Sequence, residues 1–131
     1  MKTLVAEDEF SSRFLLEKFL SPYGECLFVS TGNEALQAFQ QACEAGQPFD
    51  LICLDILMPE KDGHDALREI RAYERSHGVE FGAGAKIVMT SSLTNLNTIF
   101  ASYLEWCDDY LTKPLDRKTV VETLQKLKLI P

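Results

Sequence analysis

A chain of 131 residues with 46% hydrophobic and 25% charged residues has the length of one domain and enough apolar material for a core. Its 13 basic and 20 acidic side chains give a formal charge of −7, which argues against a dedicated nucleic-acid binder. No apolar run approaches the roughly 20 residues of a membrane helix, and the opening "MKTLVAEDEF", one lysine followed by acids, is not a signal peptide.

In chain order, "TLVA" (3–6) reads as a strand, and residues 12–20 then place Leu15 and Phe19, and Leu16 and Leu20, four apart, as a helix would. "CLFVS" (26–30) is a second strand, followed by Leu36, Phe39 and Cys43 at helical spacing. "DLICLD" (50–55) is the third strand, and Ala66, Ile70 and Tyr73 follow it on one helical face. "KIVMTS" (86–91) is the fourth, followed by the stripe Leu96, Ile99, Phe100, Tyr103 and Leu104. "DYLT" (109–112) is the fifth, and Val120, Leu124 and Leu127 close the chain as a helix capped by Asp116.

Strict alternation predicts an α/β fold, a five-stranded parallel sheet with helices on both faces, doubly wound as (βα)5. Residues 1–131 read as one such domain, with no repeat and no linker. The only long Gly-rich loop is "SHGVEFGAGA" (76–85), either a partner surface or a tolerated insertion. Cys26, Cys43, Cys53 and Cys107 form no CxxC pair and sit among apolar neighbours, so they read as free thiols in a reducing, cytoplasmic setting rather than as disulfides or zinc ligands.

In open α/β sheets function gathers outside the carboxyl ends of the strands. Here those ends carry Glu7-Asp8-Glu9, then Asp55, then Thr90-Ser91-Ser92, then Thr112-Lys113-Pro114. Each alone has an ordinary reading: a solvated loop residue or helix cap, the Asp62-Gly63 turn with Asp62 capping the next helix, a surface lysine, a strand-end hydroxyl. Together they place three acids, a hydroxyl and a lysine on one rim. Clustered carboxylates repel unless a cation offsets them, and a hard divalent ion with oxygen ligands, Mg²⁺ above all, suits one or two carboxylates plus phosphate oxygens. A carboxylate can also accept a phosphoryl group.

The chain resembles the receiver (CheY-like) domains of bacterial two-component response regulators. "ED" of "LVAEDE" stands at the acidic pair of that family, "LDILMPEKDG" at its phosphoacceptor motif, and "DDYLTKP" at its final strand with an aromatic and Lys-Pro. The resemblance implies a flavodoxin/CheY-like fold with Asp55 as the phosphorylated aspartate. It implies Mg²⁺, with Mn²⁺ able to substitute, held by Asp8, by Glu7 directly or through water, by Asp55 and by the backbone carbonyl of Leu57. Lys113 would contact the phosphoryl group, through a cis bond to Pro114. Ser91, 22 residues before Lys113, would be the switch hydroxyl, with Thr90 turned away by strand alternation. Tyr110 would be the switch aromatic, or else a plain core or edge aromatic. Glu7 departs from the commoner aspartate. Leu57 departs from a commonly polar position and, with Ser92, flanks the path of water to the site.

The partners so implied are a sensor histidine kinase or a histidine phosphotransfer protein, and an unknown output protein or a second copy in a homodimer, with no nucleic acid and no membrane. Lys118, Lys126 and Lys128, with Tyr103 and Trp106, are candidates for the output face or form a solvated helix face over core aromatics. Phe14 and Leu15 are candidates for kinase docking or for the core. The initial Met favours a natural start, and the chain is either a single-domain regulator or a receiver cut from a longer protein. The expectation is a signalling receiver, not an enzyme. A phosphatase of the haloacid dehalogenase type would need an acid where Leu57 stands. A phosphorylation-independent module would typically lack the acceptor, an acid or the lysine. A nucleotide-binding reading lacks GxxxxGK.

Overall fold

The apolar runs form strands β1 (Thr3–Ala6), β2 (Cys26–Val29), β3 (Leu51–Asp55), β4 (Lys86–Ser91) and β5 (Asp109–Thr112). The computed structural model describes residues 1–58, 60–80, 82–92 and 106–131. Among these lie helices α1 (Phe10–Leu20), α2 (Gly32–Glu44), α3 (Gly63–Ser76) and α4 (Arg117–Lys126). The helix expected over 96–104 falls outside the described residues, and with it Tyr103. All strand pairs are parallel, in the order β2-β1-β3-β4-β5.

Period-two alternation sorts each central strand between two apolar layers. Leu4, Ile52, Leu54, Ile87 and Met89 pack with Ala35 and Phe39 of α2 and Leu67 and Ile70 of α3. Val5, Cys53, Val88 and Leu111 pack with Leu16 and Leu20 of α1 and Val120 and Leu124 of α4. Both faces are therefore dry, which is why these strands read as unbroken apolar runs. The strand order reverses between β1 and β3, so the loops after these two strands part and leave a crevice at their carboxyl ends.

Local chemistry starts the helices where the order requires. Thr31 and Glu34 form a capping box at α2, with the Glu34 amide donating to Thr31 Oγ1 at 3.1 Å and the Thr31 amide to Glu34 Oε1 at 3.1 Å. Asp62 caps α3 by accepting from the Asp65 amide at 2.8 Å, and Asp116 caps α4 by accepting from the Thr119 amide at 2.9 Å. Helix α1 begins at Phe10, two residues earlier than its apolar spacing suggests. There the Glu9 side chain accepts from Ser12 Oγ at 2.6 Å.

At the opposite end of the sheet lies a buried polar network. Arg71 of α3 donates to the Trp106 carbonyl (2.8 Å), to Glu74 and the Ala85 carbonyl (2.8 and 2.9 Å), and to Asp108 (2.9 Å). Glu74 in turn accepts from the Ala85 amide at 2.9 Å and Asp108 from the Ile87 amide at 2.8 Å. Trp106 packs against the α2/α3 layer with the Arg75 guanidinium 5.5 Å over its ring, so it stands away from α4 and its lysines. Lys118 and Lys126 are exposed on α4, and Lys128 lies just beyond its end with φ of 61°.

Removing one member of a satisfied buried ion network strands the others, so Arg71→Met should lower unfolding stability by about 3 kcal/mol in equilibrium urea titration.

Candidate functional site

The crevice between β1 and β3 is lined by charge. Glu7 follows β1 directly, and its amide donates to the Val29 carbonyl at 3.0 Å, which fixes the turn into the acidic loop. Its side chain is fully buried. Asp55 is the last residue of β3 and is also buried, whereas Asp8 is exposed at the rim. Lys113, just after β5, donates to Glu7 Oε1 and to Asp55 Oδ2, each at 3.1 Å, and stands 2.9 Å from Glu7 Oε2. The other Asp55 oxygen accepts from the Leu57 amide at 3.1 Å. The Asp55 carboxylate is thus held at both oxygens.

Two glycines set the loop after β3. The Gly63 amide donates to the Ile56 carbonyl at 3.0 Å, and a Cβ at Gly63 would collide with the Asp55 carbonyl. The Gly32 amide donates to the Lys61 carbonyl at 3.1 Å, and a Cβ there would collide with that same carbonyl. Asp62-Gly63 therefore does two things: Asp62 caps α3, and Gly63 lets α3 begin against the backbone of β3.

The two hydroxyl residues are both buried. Asp55 pairs in register with Thr90, and Ser91 with Thr112. Strand alternation therefore does not turn Thr90 away from the sheet face that Asp55 shares, contrary to the expectation. What distinguishes Ser91 is its tie to the lysine: the Lys113 amide donates to the Ser91 carbonyl at 2.8 Å. Tyr110 stands on β5, opposite Met89 and 37% exposed. The Lys113–Pro114 bond is cis.

Around the rim, Leu57 is 58% exposed, Phe14 56% and Phe10 82%. Phe10 and Phe14 stack on each other with centroids 6.5 Å apart. Leu15 packs against the core instead. Phe10 was not singled out from the sequence, although its i, i+4 spacing to Phe14, off the Leu16/Leu20 face, is the signal that could have found it.

The profile of the response regulator receiver domain family matches residues 3–125. The chain belongs to that family. Over 129 residues it is 30% identical to the two-component response regulator ORR41 of Oryza sativa subsp. japonica, covering 98% of this chain and 95% of that protein. It is 29% identical over 126 residues to the sensor histidine kinase GacS of Pseudomonas protegens, covering 95% of this chain but only 13% of the kinase. Among solved structures, the receiver domain of the histidine kinase CKI1 from Arabidopsis thaliana, complexed with Mg²⁺ and BeF3⁻, superposes with a TM-score of 0.80. It is 29% identical, over 98% of this chain and 90% of that one. Receiver domains of this kind are signalling modules of two-component systems, and no helix among the described residues is long and apolar enough to cross a membrane.

The donor set of this receiver fits a hard divalent cation. Glu7, Asp8 and Asp55 each offer an oxygen within 4.8 Å of the others, and Lys113 donates to two of them. Glu7 shows the excess of negative charge. Burial, reinforced by the neighbouring Asp55, pushes its carboxyl up to about 7 against the pull of Lys113. Burial alone would lower the Lys113 ammonium, but its hydrogen bond to Glu7 and the charges of Asp55 and Glu7 raise it instead. The lysine stays charged, and Glu7 exchanges its proton close to neutrality.

A carboxyl raised from 4.5 to about 7 on folding stabilises the native state fully below 4.5 and loses that contribution as pH climbs towards 7. The thermal midpoint of the metal-free protein should therefore fall more steeply across this window than that of Glu7→Gln, as differential scanning fluorimetry in chelator would show.

Proposed function

We propose that Asp55 accepts a phosphoryl group from the phosphohistidine of a histidine kinase or a phosphotransfer protein, and that the resulting acyl phosphate alters what the domain binds. The observation that carries this reading is the doubly held Asp55 carboxylate, between the Leu57 amide and the Lys113 ammonium. An Asp55 oxygen attacks phosphorus in line while the phosphorus–nitrogen bond breaks, and the electron pair stays on the departing imidazole. Lys113 offsets charge on the phosphoryl oxygens, so the residues contribute positioning and electrostatics rather than covalent chemistry of their own. Held by Glu7, Asp8, Asp55 and the Leu57 carbonyl, Mg²⁺ (or Mn²⁺ in its place) would supply the further positive charge that this transfer needs.

The switch follows from hydrogen bonding. A phosphoryl oxygen on Asp55 is a new acceptor beside the end of β4, and the Ser91 hydroxyl is the donor assigned to it. Tyr110, exposed on β5, takes the space that Ser91 vacates. The domain thus shifts population between two packings of its β4–β5 side. The role is that of a signal receiver and not of a turnover enzyme, since Leu57 stands where a phosphatase of the aspartyl-phosphate type needs an acid. Four free cysteines support a reducing, cytoplasmic setting.

Intact mass after incubation with acetyl phosphate and Mg²⁺ should show one added phosphoryl group in the wild type and none in Asp55→Asn. Absence of an adduct in prompt samples that nonetheless bind beryllofluoride would locate the failure in transfer. Absence of both would overturn the reading. Ser91→Ala should keep the adduct but lose the phosphorylation-induced NMR shifts at Tyr110, while Thr90→Val should keep both.

The stacked Phe10 and Phe14 beside the acidic loop are the apolar contact for the phosphohistidine donor. Alanine at both should leave labelling by acetyl phosphate unchanged and slow transfer from a phosphorylated phosphotransfer protein by about tenfold in stopped assays.

A further inference from the structure

A cavity of about 640 Å³ opens at the other end of the sheet, where Asp50 precedes β3 and Lys86 begins β4. It lies one strand length, about 16 Å at ~3.3 Å per residue, from the Asp55 end. Its volume is in the range of small-molecule sites, roughly 300–1,000 Å³. Phe39, Phe49, Tyr73 and Val79 form its walls. Phe39, itself buried, and Tyr73 meet edge to face with centroids 5.6 Å apart, and Tyr73 stacks on His77 at 4.0 Å, so these rings are fixed in place.

The mouth is negative. Glu44 and Asp50 stand on it, and neither makes an ion pair within 4.0 Å among the described residues. Among the described residues Asp50 accepts from the neutral backbone amide of Lys2 alone, at 2.7 Å. Two cations lie nearby, and neither pairs with these carboxylates. The Lys2 ammonium lies 4.7 Å over the Phe49 ring and donates to the Gln47 carbonyl at 2.6 Å, and Lys86 lies 4.0 Å from Asp108 and donates to the Gly82 carbonyl at 3.5 Å. Glu74 is matched by Arg71 at 2.8 Å, and His77 Nδ1 faces the Tyr73 carbonyl at 2.8 Å. The Cys43 thiol feels the same charges: burial first and then Glu74 and Glu44 push it up, against a smaller pull from Lys2.

We propose that this cavity binds a small organic cation, an ammonium carried on an aromatic or branched aliphatic body. The body replaces water against the aromatic walls, where a cation also gains from ring faces. The ammonium supplies the countercharge that Glu44 and Asp50 lack. A neutral ligand leaves both carboxylates uncompensated, and an anion is repelled by them. The inference does not depend on phosphorylation of Asp55.

The test is a two-dimensional amide NMR titration of the full chain with 2-phenylethylammonium, compared with 2-phenylethanol and 3-phenylpropanoate. Shifts should centre on Phe49, Val79 and Lys86, with the ammonium binding at least about tenfold more tightly than the alcohol and the carboxylate not binding. The double variant Glu44→Gln, Asp50→Asn keeps the acceptor for the Lys2 amide. It should bring the ammonium down to the affinity of the alcohol, while Asp55→Asn should bind it as the wild type does. No shift at these amides, or equal binding of ammonium and alcohol to the wild type, would overturn the proposal.

Discussion

Everything at the carboxyl end of the sheet depends on the Lys113 ammonium. Two buried carboxylates, Glu7 and Asp55, approach each other there, and without a cation between them their repulsion and desolvation would oppose folding of the loop. The lysine reaches Asp55 across 58 residues of sequence and Glu7 across 106. The arrangement therefore exists only when β1, β3 and β5 all occupy their places in one sheet. Assembly of the site and completion of the fold are the same event, which is why the rim stays a scatter of unremarkable acids until the topology is known.

Much of this was legible in the sequence because it is written in local rules. Unbroken apolar runs announced strands covered on both faces, and Asp62 and Asp116 announced helix starts. The strand ends gathered Glu7, Asp8, Asp55 and Lys113 with no further information. What escaped notice was either a local signal passed over or a non-local fact. The capping box in "TGNE" (31–34) was readable as written. Burial of Arg71 was not: Arg71 and Glu74 look like an ordinary surface i, i+3 pair, and only Asp108, 37 residues on, together with two distant carbonyls, makes a buried guanidinium tenable. Strand alternation does not separate Thr90 from Ser91, because Asp55 and Thr90 pair in register, so the choice of Ser91 rests on its spacing to Lys113 alone.

The two ends of the sheet are built on opposite principles. At the carboxyl end, charged groups meet in a tight cluster from which apolar side chains are held back to the rim. At the amino end, aromatic rings meet around open space, and most of the charges are already matched in the network around Arg71. The apolar layers between them are close-packed and bury Leu4, Ile52, Leu54 and Ile87 completely. Such layers transmit a change at one end only through a discrete repacking.

The loop after β3 is fastened by backbone contacts and by one buried side chain. Gly63 seats against the β3 backbone, the Gly32 amide grips the Lys61 carbonyl, and Met58 tucks into the α2/α3 layer. None of these fastenings uses the Leu57 side chain, which projects into solvent next to Asp55. Positions like it can drift over evolutionary time without disturbing the chemistry. A different side chain at position 57 would therefore change the surface beside Asp55 without loosening the loop, while the two glycines hold the carboxylate in register.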